Sequence, residues 1–136
     1  MSARENPVGL PNARGRYDVR QLHAYLPDAG GLNFNTGISE HSILQVMTSD
    51  AESLPEGVRQ AAAGAVEQLN APPRLALVFS CGSRVPLLGE RAGEEATLIS
   101  AALGGAAVCG FFTFGEFARV HGSSGVHNSS VSILVL

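Results

Sequence analysis

Apolar residues fall along this chain in short pieces through its first third and in longer, more regular runs afterwards. Up to about residue 48 the pieces cover residues 7–10, 17–22, 32–34 and 43–47, separated by Gly, Pro and Asn. Short apolar stretches between turn signals read as strands. Asp28-Ala29-Gly30-Gly31 and Asn35-Thr36-Gly37 read as turns, and residues 1–6 as loosely ordered. Over residues 54–69 the period changes. Val58, Ala62, Ala65, Val66 and Leu69 fall on one face of a helix. Ser53 and Glu56 have capping-box spacing, Pro55 suits a first turn, and Asn70 with Pro72-Pro73 ends the run. Residues 75–79 read as a buried strand. A second helix is predicted over residues 91–103, with Glu94 and Glu95 in its early turns, where the helix dipole favours negative charge. Its expected apolar stripe is Leu98, Ile99, Ala102 and Leu103, and Gly104-Gly105 is its stop. Residues 107–112 read as another buried strand, 118–130 as a polar loop, and 131–136 as a closing strand.

This order predicts an α+β fold in one domain spanning residues 1–136: a single mixed β-sheet with two amphipathic helices packed on it. The chain has 136 residues, 45% of them hydrophobic and 15% charged. That length buries roughly 68–70% of the surface an unfolded chain exposes, so neither metal nor disulfide is needed for stability. The net charge of −3 is too small to steer a partner. Arg4, Arg14, Arg16 and Arg20 are broken up by Gly and Pro and form no basic stripe, which argues against nucleic-acid binding. No apolar stretch reaches the length of a membrane span, and the N-terminus lacks the apolar core of a signal peptide. Cys81 and Cys109 lie in or beside apolar runs and are expected to be reduced, buried thiols of a cytoplasmic protein. There is no lysine, which excludes Schiff-base chemistry and a phosphate-loop lysine within this chain.

Polar groups collect at three strand ends: Ser80-Cys81-Gly82-Ser83-Arg84, then Thr113-Phe114-Gly115-Glu116, then His127-Asn128. Loops held by a rigid sheet often carry binding groups. If the three ends meet, Arg84 can take a carboxylate with its fork and Glu116 an ammonium, which suits a small zwitterion. The candidate ligand-binding set is therefore Cys81, Arg84, Thr113, Glu116, His127 and Asn128. Each has a structural alternative. Arg84 can pair with Glu94 or Glu95, Glu116 can serve a turn, Asn128 can bond backbone, and His127 can be a structural histidine. His23, His41 and His121 read as surface residues. A thiol enzyme using Cys81 as nucleophile and His127 as base is the less favoured alternative. The two cysteines lack metal-ligand spacing, so no metal site is expected.

The string Val78-Phe79-Ser80-Cys81-Gly82-Ser83-Arg84, then Leu88-Gly89-Glu90-Arg91 with Glu94-Glu95, then Gly110-Phe111-Phe112-Thr113-Phe114-Gly115-Glu116, then His127-Asn128, resembles the C-terminal domain of FIST proteins. FIST stands for F-box and intracellular signal transduction. The resemblance is strongest over residues 75–136 and extends faintly through Pro7-Val8-Gly9. It implies a non-catalytic sensory domain that binds a small ligand, an amino acid being the usual suggestion, and passes the signal to an output domain. It carries over no catalytic residue and no cofactor. The family pattern has tyrosines where Phe112 and Phe114 stand, so two hydroxyls are missing here. It also pairs this domain with an N-terminal half, so the expected partners are a small molecule and a FIST N-terminal domain or signalling protein. The competing expectation is a protein-interaction module without a small ligand.

Overall fold

The computed structural model describes residues 5–13, 15–120 and 123–136. Arg4, Arg14, His121 and most of the N-terminal stretch expected to be loose lie outside the described residues. The Gly- and Pro-rich first third forms five short strands: β1 (Val8–Pro11), β2 (Tyr17–Arg20), β3 (Leu22–Leu26), β4 (Gly31–Phe34) and β5 (Gln45–Val46). Strand β1 is the centre of an antiparallel sheet ordered β2-β1-β5. Among the described residues, strands β3 and β4 pair only with each other. The turn expected at residues 28–31 joins them: Pro27–Ala29 make one 3-10 turn, and Gly30 closes it at φ 59, a conformation that glycine adopts without a side-chain clash.

Helix α1 (Leu54–Val66) follows, then β6 (Leu75–Cys81), one helical turn α2 (Val85–Leu88) between 3-10 turns, α3 (Glu94–Ala102), β7 (Ala107–Thr113), β8 (Glu116–Val120), β9 (Ser123–His127) and β10 (Val131–Val135). Strand β6 sits in the middle of the sheet β10-β6-β7. It runs parallel to β7, the crossover being made by α3, and antiparallel to β10. The fold is α+β with two helices of more than one turn, but the single expected sheet is divided into four among the described residues. The short N-terminal strands have too few residues each to join one continuous ladder. The polar loop expected at 118–130 is largely the hairpin β8–β9, with Glu116 opposite His127 and Val120 opposite Ser123. Its Ser- and Gly-rich second strand has almost no apolar alternation, which is the signal that marks a strand.

The core lies between the helices and one face of β10-β6-β7. Val58 and Ala62 of α1, Ile99 of α3, Leu103, Ala76 and Val78 of β6, and Val135 of β10 form it. Within α3 the buried row is Glu95, Ile99 and, one turn on, Leu103, while Ala102 faces solvent. Leu98, Ile99 and Leu103 of the expected stripe do face the core; Ala102 does not, and an acidic residue takes the inward position of the first turn. The start of α1 also differs from the expected capping box. Ser53 makes no side-chain cap, and Asp50 instead accepts from the backbone N–H of Ser53 (2.7 Å) and of Glu52 (3.1 Å). Hydrogen bonds from the Ser53 side chain and backbone hold the Asp50 carboxyl below its ordinary 3.8. The depressed value makes this turn fully formed above the ordinary pKa and weakened as pH falls through the lower one.

Both cysteines are free; Cys81 is buried, but Cys109 is exposed, contrary to expectation. The reason is that β7 is an edge strand and Cys109 points to the face without helices, paired with Leu77 in register. Among the described residues no helix is long and apolar enough to cross a membrane.

Gly110 is fixed by close approach: a Cβ there would lie 2.1 Å from the carbonyl oxygen of Val78. Gly110→Ala must push β7 away from β6, and such overpacking costs about 1–3 kcal/mol. Urea denaturation should show that loss, whereas Gly64→Ala, on open helix surface, should leave the midpoint unchanged or raise it.

Candidate functional site

Because β6 and β7 are parallel, Ser80-Cys81 and Thr113 finish at the same end of the sheet, where β10 begins. The residues singled out in the sequence gather there, and a hydrogen-bonded network links most of them. It contains two buried carboxylates in different surroundings.

Glu95, 6% exposed, reaches the sheet from α3. Its Oε2 accepts from the Ser80 hydroxyl at 2.7 Å. Its Oε1 accepts from Arg84 Nε at 3.0 Å and from Arg84 Nη2. Arg84, 3% exposed, also donates to the Leu54 carbonyl at the start of α1 (3.4 Å). The guanidinium therefore ties the end of β6 to both helices. Of the two roles weighed for Arg84, its contacts are those of the pairing with Glu95. Glu94, the other partner considered, pairs with Arg91 on the surface.

Glu116, 1% exposed, has no cation within ion-pair distance among the described residues. Its Oε1 accepts from the Thr113 hydroxyl at 2.7 Å and its Oε2 from the Ser130 hydroxyl at 2.9 Å. A buried carboxylate held only by two neutral hydroxyls is costly to keep. His127 lies directly across the hairpin from Glu116, and its Nε2 is buried without a hydrogen-bond partner.

The third part of the network is a relay of donors. Ser129 donates to the Gln21 side-chain oxygen, which spends its hydroxyl proton. It must then accept from Ser83 (3.2 Å), which in turn accepts from the Cys81 thiol (3.1 Å). Cys81 is therefore the thiol donor of a chain that ends on Gln21, and Ser83 rather than His127 is its partner. Asn128, fully buried, accepts from the Thr36 hydroxyl at 3.0 Å and donates to the His127 carbonyl at 3.1 Å. Thr36 also lines a shallow, open hollow of about 420 Å³ with Leu26, Leu32, Phe34 and Ile38. The hollow reaches the polar cluster only through Thr36 and does not include Glu116.

Sequence reasoning missed Gln21, Thr36, Ser83, Ser129 and Ser130 as members of this network. Gln21 and Thr36 join it across 108 and 92 residues of chain, a distance that no local pattern encodes. The only local signal at Ser129 is its place in a Ser-rich turn, and its φ of 54 is visible only in the structure.

Removing one partner of a buried ion pair strands the other. Glu95→Ala leaves the Arg84 guanidinium buried without an anion, an expected loss of about 3–5 kcal/mol. Arg84→Lys should lower the melting temperature less, because Lys keeps the charge but not the fork. Thermal melts of both variants against wild type check the order. Equal stability of Glu95→Ala and wild type would remove the pair from its structural role.

The FIST C domain family matches residues 1–119. The uncharacterized protein MT0656 of Mycobacterium tuberculosis (strain CDC 1551 / Oshkosh) is 27% identical over 120 residues, covering 88% of this chain and 31% of that protein. The uncharacterized protein Mb0898c of Mycobacterium bovis is 25% identical over 120 residues, again 88% of this chain and 31% of the relative. The chain thus spans about a third of the length of these relatives. No solved structure matches it significantly. With the match running over most of the chain, though ending before His127-Asn128, this protein belongs to the FIST C domain family, named for intracellular signal transduction.

Proposed function

We propose that this chain is a cytoplasmic, non-catalytic sensory domain that binds a small ligand bearing an ammonium group, amino acids being the first candidates. The observation that carries this reading is the contrast between the two buried carboxylates. Glu95 has its cation built in. Glu116, at the same end of the sheet, has hydroxyls on both oxygens and, among the described residues, no cation. An ammonium supplied by a ligand gives Glu116 the charged partner that the described residues do not. Arg84 is already engaged by Glu95, so a ligand carboxylate is assigned to His127, whose buried Nε2 is the unpartnered polar atom nearest in register. Asn128 and Thr113 then act as positioning residues through Thr36 and Glu116. A non-catalytic role fits Cys81, which donates its proton into the Ser83–Ser129–Gln21 relay. In the longer relatives, a ligand signal would pass to the remaining two thirds of the chain.

Calorimetric titration with common amino acids tests this reading. Wild type should bind at least one of them, and the N-acetyl derivative of that amino acid, which lacks the ammonium, should bind far more weakly. Charge-assisted bonds contribute roughly 1.5–3 kcal/mol, so Glu116→Gln should lose about tenfold to a hundredfold in affinity. Arg84→Lys should bind as wild type does. Equal binding of an amino acid and its N-acetyl derivative would overturn the role of Glu116.

A further inference from the structure

Strand β7 is hydrogen-bonded to β6 along all seven of its residues, and no described strand pairs with its other edge. Edge strands are usually guarded by charge, proline, a bulge or a covering segment. From Gly104 to Gly115 there is no charged residue and no proline. Instead Cys109, Phe111 and Phe112 are exposed, the two phenylalanines at 66% and 46%. Such an edge is a template for another strand.

We propose that the strand it takes is β7 of a second copy, paired antiparallel about a two-fold axis at Gly110. Three features of the chain select this occupant and register. A two-fold perpendicular to the sheet keeps each residue on its own face, so paired residue numbers must sum to an even value. Among those registers, the one centred on Gly110 pairs the whole strand, Ala107 with Thr113 through to its symmetry mate. In it each large side chain meets a smaller one: Phe112 lies opposite Val108 and Phe111 opposite Cys109. Aromatic–β-branched and sulfur–aromatic pairs of this kind are favourable across strands, and Gly110 meets Gly110 on the axis. Finally, the strand is uncharged, so self-pairing opposes no like charges despite the net charge of −3. The product is a six-stranded sheet, β10-β6-β7 joined to its symmetry mate, with the helices of both copies on one side.

The register makes a geometric statement about Cys109. Each Cys109 is diagonal to its mate, with backbones roughly 7–8 Å apart. That is too far for an unstrained disulfide but within reach of a short bismaleimide. Light scattering on the wild-type chain should give the dimer mass, and the bismaleimide should give a covalent dimer. Cys109→Ser should abolish the cross-link, since Cys81 is buried, while keeping the dimer mass. Phe111→Lys, which places a cation at the edge, should give the monomer mass and no cross-link; Phe112→Lys should do the same if Phe111→Lys, which loses the Phe79 ring contact, fails to fold. A monomeric wild type would overturn the proposal and assign the edge to another part of a longer family chain. A dimer that Cys109 does not cross-link, or that survives both lysine variants, would overturn the register.

Discussion

A guanidinium cannot leave water without an anion, and the end of β6 is built around that constraint. Arg84 lies where the sheet gives way to the helical turns and would be stranded there if α3 presented only apolar residues. Glu95 supplies the anion, and with it the rotational setting of α3: the face that carries Glu95 inward also carries Ile99 and Leu103 inward. The same guanidinium holds the Leu54 carbonyl at the first turn of α1, and the Ser80 hydroxyl fills the last acceptor of Glu95. One ion pair thus fixes how both helices sit on the central strand. A buried pair of this kind adds little net stability over apolar residues of the same volume. Its effect lies in geometry, because an ion pair with hydroxyl support tolerates one arrangement where greasy packing tolerates several.

That constraint sharpens the meaning of Glu116. Two carboxylates lie at one end of one sheet, both almost wholly buried. Among the described residues the first is satisfied with charge and the second with hydroxyls. Such a difference within one network is not a matter of sheet position or of burial. It lies in the partners each carboxylate is given: Arg84 and Ser80 for Glu95, the hydroxyls of Thr113 and Ser130 for Glu116.

Much of this was legible in the sequence, for physical reasons. Residues 75–79 and 107–112 are too apolar and too short for anything but strands, and α1 shows its face through Val58, Ala62, Ala65 and Val66 at helical spacing; only the first of the two strands is buried, since β7 lies at the sheet edge and leaves most of its side chains exposed. The meeting of the three polar strand ends followed from making those strands neighbours. What stayed hidden depended on contacts distant in sequence or on exceptions to pattern. The inward place of Glu95 on α3 was not read, because the periodicity of apolar residues cannot register a buried glutamate. The hairpin β8–β9 went unread because Ser123, Ser124 and Gly125 carry no alternation. Cys109 was taken as buried because an apolar run does not reveal whether its strand lies at the centre of a sheet or at the edge. The placement of Gln21 and Thr36 is a property of the folded whole.

The turn of Asn128, Ser129 and Ser130 gives the network its direction. Ser130 holds Glu116 through its hydroxyl and the Cys81 N–H through its carbonyl. Ser129 grips Gln21, and Asn128 takes Thr36. Three consecutive residues thus join the carboxylate of the β8–β9 hairpin to the sheet end and to both small N-terminal units. Ser129 is held at φ 54, a left-handed conformation that costs a non-glycine residue roughly 1–2 kcal/mol. It persists because bonds on either side over-determine it. A group that draws Glu116 away from Ser130 removes one of those bonds and lets the turn relax, and the residues released with it are the ones that hold Gln21 and Thr36. One turn therefore couples the setting of a buried carboxylate to the way the N-terminal strands are held.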